Sequence, residues 1–265
     1  MKIALVQMAV EQGNFDANLE KAQRLAARAK SGGAQLAVFP EMFVCGFNYR
    51  INAQYLEQKQ TELVEGVRQI AQKNDIFVCG SIPYAENGDT KPFNRILFVD
   101  NLGEIRATYD KLHLFSLFKE DKYSRRGETS TVADTALGRI GFAVCYDLRF
   151  PELFSKMARQ NAQLVILPAA WPKPRDEHWN TLVRARAIEN QYFVAAVNQG
   201  GVENFGDKKA EYFGMSQLVD PWGEVLALCP KDSPDTIAFA DVDYSRIDDA
   251  RAKIPSSKDR RDDIY

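Results

Sequence analysis

Few residues of this chain could carry covalent chemistry: it has 4 cysteines and only 2 histidines. Cys145 closes an apolar run and is followed by Tyr146-Asp147-Leu148-Arg149-Phe150-Pro151. A cysteine at such a strand-to-helix elbow presents its sulfur at the carboxyl edge of a sheet. Helix amides there can lower its pKa and supply an oxyanion hole; the same residue also suits simple core packing. Glu41 follows Pro40 at the end of another strand-like run. A carboxylate there can take a thiol proton as general base, or merely face solvent. Lys111, within Tyr109-Asp110-Lys111-Leu112-His113-Leu114-Phe115, can stabilise a developing oxyanion or be a solvated charge. A papain-like pair would have to use His113 or His178, and neither sits in a motif that argues for it. Cys45, four residues after Glu41, is the competing nucleophile, but its Gly-containing loop leads into no elbow. The cysteines are widely spaced with no CxxC, so neither a disulfide framework nor a metal site is expected, and no cofactor is called for.

These groups must be held by a framework, and composition bounds it. The chain has 265 residues, 45% hydrophobic and 26% charged, enough for one domain with its own core. Its formal net charge is −2, and lysines and arginines are interleaved with acids. A nucleic-acid partner is therefore not expected. The N-terminal apolar run is broken by Gln7 and has no small-residue cleavage site, so it reads as a first strand rather than a signal peptide. No stretch approaches the roughly 20 apolar residues of a membrane span. The expected location is the cytoplasm.

Strand-like and helix-like runs alternate. Strands are expected over residues 3–8, 35–39 and 76–81, with helices over 14–30 and 53–73. Asn87-Gly88-Asp89 reads as a tight turn, and 94–100 with 104–110 as a hairpin. The pattern then restarts: strand 139–145, helix 151–160, strand 163–167, helix 178–191, strand 192–198, and a hairpin of 215–219 with 224–228. Residues 33–40 (Gly-Ala-Gln-Leu-Ala-Val-Phe-Pro) match 161–168 (Asn-Ala-Gln-Leu-Val-Ile-Leu-Pro) at an offset of 128, and 96–104 match 216–224 at an offset of 120. Two similar βαβ-plus-hairpin halves can pack sheet on sheet with helices outside, an α/β four-layer α-β-β-α sandwich. The sandwich is expected over 1–240 of a single domain, with a charged tail, 241–265, on the body or on a partner subunit.

Phe39-Pro40-Glu41-Met42-Phe43, then Tyr109 to Phe115, then Val144 to Glu152, in that order and spacing, resemble the nitrilase (carbon–nitrogen hydrolase) superfamily, over almost the whole chain. The segments Cys145 to Pro151, Trp171-Pro172-Lys173-Pro174-Arg175, His178-Trp179 and Ala185 to Gln191 are most similar to the omega-amidase branch, which acts on 2-oxoglutaramate and related amides. The resemblance implies the same sandwich, a homodimer with the tail reaching across, and no cofactor. It implies Glu41 as general base, Cys145 as nucleophile, and Lys111 with the Tyr146 amide as oxyanion donors. Glu120 is implied as the auxiliary glutamate, with Glu128 in reserve. A substrate carboxylate would need a cationic clamp, for which Arg149 and Arg175 are available; Arg149 also reads as a partner of a nearby acid. Trp171 and Phe43 are candidate pocket walls, Trp171 alternatively core. An N-carbamoyl amino acid hydrolase, an aliphatic amidase or a deaminated glutathione amidase would keep this site, and a true nitrilase fits less closely. A non-catalytic binding protein is opposed by the intact Glu41, Lys111 and Cys145 set.

Overall fold

Apolar residues at helical spacing, opened by a capping side chain, set the first helix. The structure, a computed structural model, describes residues 1–86, 91–205, 207–261 and 263–264; the Asn87-Gly88-Asp89 turn lies outside them. After β1 (Lys2–Gln7), Asn14 caps α1 (Phe15–Ser31) by accepting the Ala17 amide at 3.3 Å. Beyond β2 (Leu36–Val38), Asn48 caps α2 (Tyr49–Asn74) through the Ile51 amide. This helix therefore starts earlier than its apolar spacing predicts. The strands β3 (Phe77–Tyr84), β4 (Phe93–Val99) and β5 (Ile105–Asp110) complete the first half.

A short 3-10 turn at Ser116–Phe118 and the single-turn helix α3 (Glu120–Tyr123) lead into β6 (Val132–Thr135) and β7 (Gly138–Phe142). The apolar run expected to be strand up to Cys145 stops at Phe142, and Cys145 opens a 3-10 turn that runs to Arg149. Next come α4 (Pro151–Arg159), β8 (Leu164–Ala169), α5 (Asp176–Asn190) and β9 (Phe193–Asn198). Proline opens α4, where a missing amide costs nothing. A ribbon of β10 (Gly200–Phe205) and β11 (Lys208–Phe213) precedes β12 (Gln217–Val219), β13 (Val225–Leu228) and β14 (Thr236–Asp241).

Two six-stranded sheets result, ordered β14-β1-β2-β3-β4-β5 and β6-β7-β8-β9-β12-β13. Each has three parallel strands in the middle, an antiparallel hairpin on one side and one antiparallel strand on the other. Their hairpin turns share one chemistry. Asp100 Oδ1 accepts the amides of Leu102 and Glu104 at 2.9 Å each, and Asp220 Oδ1 accepts those of Trp222 and Glu224 at 3.0 and 2.8 Å. Gly103 and Gly223 take φ of 84° and 80°, which a side chain would resist.

The sheets pack face to face, with Phe98 of β4 against Phe142 of β7, ring centroids 5.7 Å apart. Leu25, Ala26, Val67 and Ile70 of α1 and α2 cover one outer face; Phe154, Met157, Trp179 and Val183 of α4 and α5 cover the other. This is the expected α-β-β-α sandwich. The charged tail lies on the body: α6 (Ser245–Lys253) buries Ile247 and Ala250, and Gln191 Nε2 donates to the Ile254 carbonyl at 2.7 Å before the single-turn α7 (Ser256–Asp259). Among the described residues, no helix is long and apolar enough to cross a membrane.

Candidate active site

The carboxyl ends of β2, β7 and β8 converge with the end of β5, and the residues singled out by type meet there. Glu41 follows β2 and is 1% exposed. The next residue, Met42, has φ of 51° and donates its amide to Ser81 Oγ at 2.9 Å, which fixes the turn. Glu41 Oε1 accepts from Lys111 Nζ and from Asn94 Nδ2, both at 2.8 Å, and Oε2 accepts the Ala170 amide at 2.9 Å. Lys111 stands one residue past β5, its own amide on the Asn94 carbonyl at 3.0 Å. Its ammonium also donates to Glu120 at 2.8 and 3.1 Å. Glu120 Oε2 accepts the Phe115 amide at 2.7 Å, which ties the intervening loop to the site. Glu128 is exposed, and Glu120 is the second glutamate that Lys111 meets.

Cys145 adopts φ of 45°, a left-handed conformation that costs a non-glycine residue on the order of 1–3 kcal/mol. Asp147, fully buried, holds the elbow in that shape. Its Oδ2 accepts the Val144 amide at 2.8 Å and the Tyr109 hydroxyl at 2.7 Å, and its Oδ1 meets His113 at the backbone amide (3.0 Å) and at Nδ1 (2.7 Å). Arg186 donates to the Leu148 carbonyl at 3.1 and 2.8 Å, securing the far end. His113 is thus committed to Asp147, while His178 meets Arg149 at 3.3 Å. Neither serves Cys145, so the papain-like pairing is not formed.

Electrostatics sorts the protons. Burial would discharge Lys111, but the Glu120 and Glu41 carboxylates outweigh it and hold the ammonium's pKa well above the ordinary lysine value. Burial pushes the Glu41 carboxyl up, with Lys111 opposing and Glu120 adding to the rise. Burial, and then the Glu41 charge, push the Cys145 thiol well above its ordinary pKa, against the pull of Lys111 and of the Ala170 amide. The elbow by itself can lower this pKa; here a buried sulfur facing a carboxylate gains more from keeping its proton than Lys111 and the Ala170 amide return.

The pocket in front of Cys145 is lined by Phe115, Tyr146, Arg149, Ala170, Trp171, Pro172 and Arg175, and encloses about 270 Å³ with its mouth included. Trp171 is held edge and backbone: its Nε1 donates to the Arg175 carbonyl at 3.0 Å and its amide to Asn198 Oδ1 at 2.7 Å. The Arg149 guanidinium lies over the Trp171 ring, 4.6 Å from the centroid. Neither Arg149 nor Arg175 has a carboxylate partner among the described residues, so the expected acidic partner of Arg149 is not found. Phe43 does not wall the pocket. It is fully buried and stacks on Phe39 at 4.9 Å against Gly80, because β2's turn directs it under α2 into the core. Cys45 is also sealed in, its thiol pushed well above its ordinary pKa by burial and by Glu203.

Two organising residues escaped the sequence reading. Asn94 bridges Glu41 and Glu120, reaching the latter at 3.2 Å; its one signal is a buried amide near the start of the strand Phe93–Val99. Asp147 lies within the quoted elbow, marked only as a buried acid two residues after the cysteine.

Comparison with known proteins agrees with this geometry. The carbon–nitrogen hydrolase family model matches residues 2–252. The chain belongs to the carbon–nitrogen hydrolase family. It is 35% identical to the nitrilase and fragile histidine triad fusion protein NitFhit of Caenorhabditis elegans over 99% of its length, and spans 61% of that longer protein. The NitFhit crystal structure superposes with a TM-score of 0.90 at 34% identity, covering 100% of this chain and 66% of the other. A deaminated glutathione amidase of Dictyostelium discoideum is 34% identical, covering 91% of this chain and 88% of its own. The omega-amidase NIT2-B of Xenopus laevis is 33% identical, covering 100% and 96%. As a carbon–nitrogen hydrolase the chain is an amidohydrolase.

Proposed function

We propose that this hydrolase cleaves small amides bearing a distal carboxylate, omega-amidase fashion, through a thioester on Cys145. The observation that carries the reading is that Glu41 meets Lys111 at 2.8 Å while facing the Cys145 thiol, inside a buried site. Glu41 takes the thiol proton as Sγ attacks the amide carbon. The oxyanion is received by Lys111 and by the Tyr146 amide at the elbow. Glu41 returns its proton to the nitrogen, the C–N bond breaks and ammonia leaves. Water, deprotonated by Glu41, then attacks the thioester carbon; the acid is released and Cys145 regains its proton. Glu120 keeps Lys111 charged and aimed throughout, and Asn94 holds both glutamates in register.

Arg149 and Arg175 supply the positive rim that a carboxylate needs, and planar guanidinium groups suit it; Trp171 and Phe115 wall the path. The similarity to an omega-amidase and to a deaminated glutathione amidase supports the class of substrate, and the small pocket favours the shorter acid. A homodimer completed through the tail, and a cytoplasmic location in keeping with four unpaired thiols, belong to the same proposal.

The test is an ammonia-release screen over 2-oxoglutaramate, succinamate, glutamine, N-carbamoyl amino acids and simple nitriles. The highest kcat/KM is expected for 2-oxoglutaramate or succinamate. Preference for a carbamoyl compound or a nitrile would overturn the substrate class, and ammonia release that survives Cys145→Ala would overturn the route.

A further inference from the structure

A guanidinium at a pocket rim does not aim itself, because the long arginine side chain turns freely unless neighbours fix it. Two contacts fix Arg149. Its guanidinium lies over the Trp171 ring, 4.6 Å from the centroid, and its Nη2 meets His178 Nδ1 at 3.3 Å. Arginine has only donors, so Nδ1 is the acceptor, and a ring that offers it is uncharged. His178 is exposed and stands outside the residues that line the pocket. The chemistry at Cys145 gives it no part.

Both contacts rest on a firm support. His178 lies in the first turn of α5, beside the fully buried Trp179. Trp179 donates its Nε1 to the Met215 carbonyl at 2.9 Å and its amide to the Arg175 carbonyl at 3.1 Å. The same Arg175 carbonyl accepts Trp171 Nε1 at 3.0 Å, and the two indole rings pack with centroids 5.9 Å apart. The wall beneath Arg149 and the helix turn beside it are therefore one packed unit.

The chemistry of the partner matters as much as its place. A carboxylate there would hold Arg149 more strongly, but it would also cancel the charge and compete with an incoming anion. A neutral imidazole orients the guanidinium and leaves its charge to the ligand. The acids next to His178 do not take this place: among the described residues neither Asp176, bound to Lys231 at 2.6 Å, nor the exposed Glu177 pairs with Arg149. We infer that His178 is a positioning residue for substrate recognition, its neutral Nδ1 holding Arg149 over Trp171 to receive the distal carboxylate. This rests on the reading above that the substrate bears such a carboxylate, and adds to it the residue that sets the selectivity.

The experiment measures kcat and KM of His178→Phe, His178→Asn and His178→Glu beside the unaltered enzyme, on succinamate and on butyramide, which carries a methyl group in place of the carboxylate. Thermal melting is followed in parallel. His178→Phe keeps a ring and removes the acceptor, so KM for succinamate should rise about three- to tenfold with kcat held. Its kcat/KM for butyramide should not change. His178→Asn, whose Oδ1 can stand in for Nδ1, should recover most of the affinity. His178→Glu adds a resident carboxylate and should raise KM for succinamate further than His178→Phe. Tm should hold in all three, because the side chain is at the surface. An unchanged succinamate KM in His178→Phe, an equal loss on both amides, a His178→Asn enzyme no better than His178→Phe, or a loss that tracks a lowered Tm would each overturn the inference. An unaltered enzyme with no preference for succinamate over butyramide would instead overturn the carboxylate reading on which it rests.

Discussion

The two halves of the sandwich end their strands in equivalent places and fill those places differently. β2 and β8 align at the offset of 128 residues, which sets Glu41 against Ala169. The hairpins align at an offset of 120, which carried past their ends sets Lys111 against Lys231. Ile3 of β1 pairs with Leu36, and Ile140 of β7 with Leu164, so the register sets Cys145 against Met8. One half thus supplies the carboxylate and the ammonium, and the other supplies the sulfur. The complementary set, Met8, Ala169 and Lys231, carries a buried thioether, a methyl group, and a surface lysine paired with Asp176 at 2.6 Å. The halves meet at this point: the Glu41 amide donates to the Ala169 carbonyl at 3.4 Å and its carboxylate accepts the Ala170 amide. A duplicated framework therefore provides two sets of loop ends, and chemistry needs only one mixed triple.

Substitutions at paired positions break this comparison most sharply. Cys145→Ser should reduce ammonia release at least about 10³-fold with the fold intact. Met8→Ala should instead cost roughly 2–5 kcal/mol of stability through a core cavity while the remaining folded enzyme turns over. Steady-state kinetics beside denaturant unfolding separate the two. Lys111→Met strands two buried carboxylates, so it should abolish turnover and cost roughly 3–5 kcal/mol; Lys231→Met, at an exposed pair, should change stability by less than about 1 kcal/mol and leave activity alone.

Proton linkage sharpens the same contrast. The base acts as the carboxylate, so kcat/KM should fall as pH drops through a Glu41 pKa held above the ordinary glutamate value. Glu120→Gln removes a charge that raises it and should move this acid limb to lower pH. Among the described residues the β10–β11 ribbon has no counterpart in the first half, and its Glu203 is pushed up to about 7, chiefly by burial. A carboxyl raised on folding favours the folded state most below its unfolded pKa, and that contribution is lost as pH rises through about 7. Unfolding titrations should show stability declining over that interval by up to about 3 kcal/mol, a decline that Glu203→Gln removes.

The most symmetrical effects should come at the two hairpin turns. Asp100→Ala and Asp220→Ala each release two backbone amides at the same turn, and should cost similar stability, roughly 1–3 kcal/mol, without touching kcat. A large inequality between them would weaken the equivalence of the hairpins.

The candidate residues could be singled out because each closes a regular element and the three motifs were read together; each alone equally suited a packing or solvated role. Glu41, Lys111 and Cys145 stand where strand patterns end, and the repeated segments announced two like sheets. Glu120 was legible only through resemblance, since a polar loop gives no sign that its carboxylate turns inward. Asn94 and Asp147 escaped because their roles come from tertiary contacts between distant segments. Phe43 was misplaced for a related reason: nearness in sequence to Glu41 does not reveal which way a turn directs the next ring. The β10–β11 ribbon escaped because it is rich in polar residues and glycine, and so lacks the apolar run that marks a core strand.

The central claim, that sulfur from one half is activated by a carboxylate from the other and carries the acyl group, is tested most directly by acid-quenching the enzyme during turnover of succinamate and mapping its peptides by mass spectrometry. The acyl mass should appear on the Cys145 peptide alone, and disappear in Glu41→Gln enzyme treated in the same way. An acyl adduct on Cys45, or undiminished acylation of Cys145 without Glu41, would contradict the account.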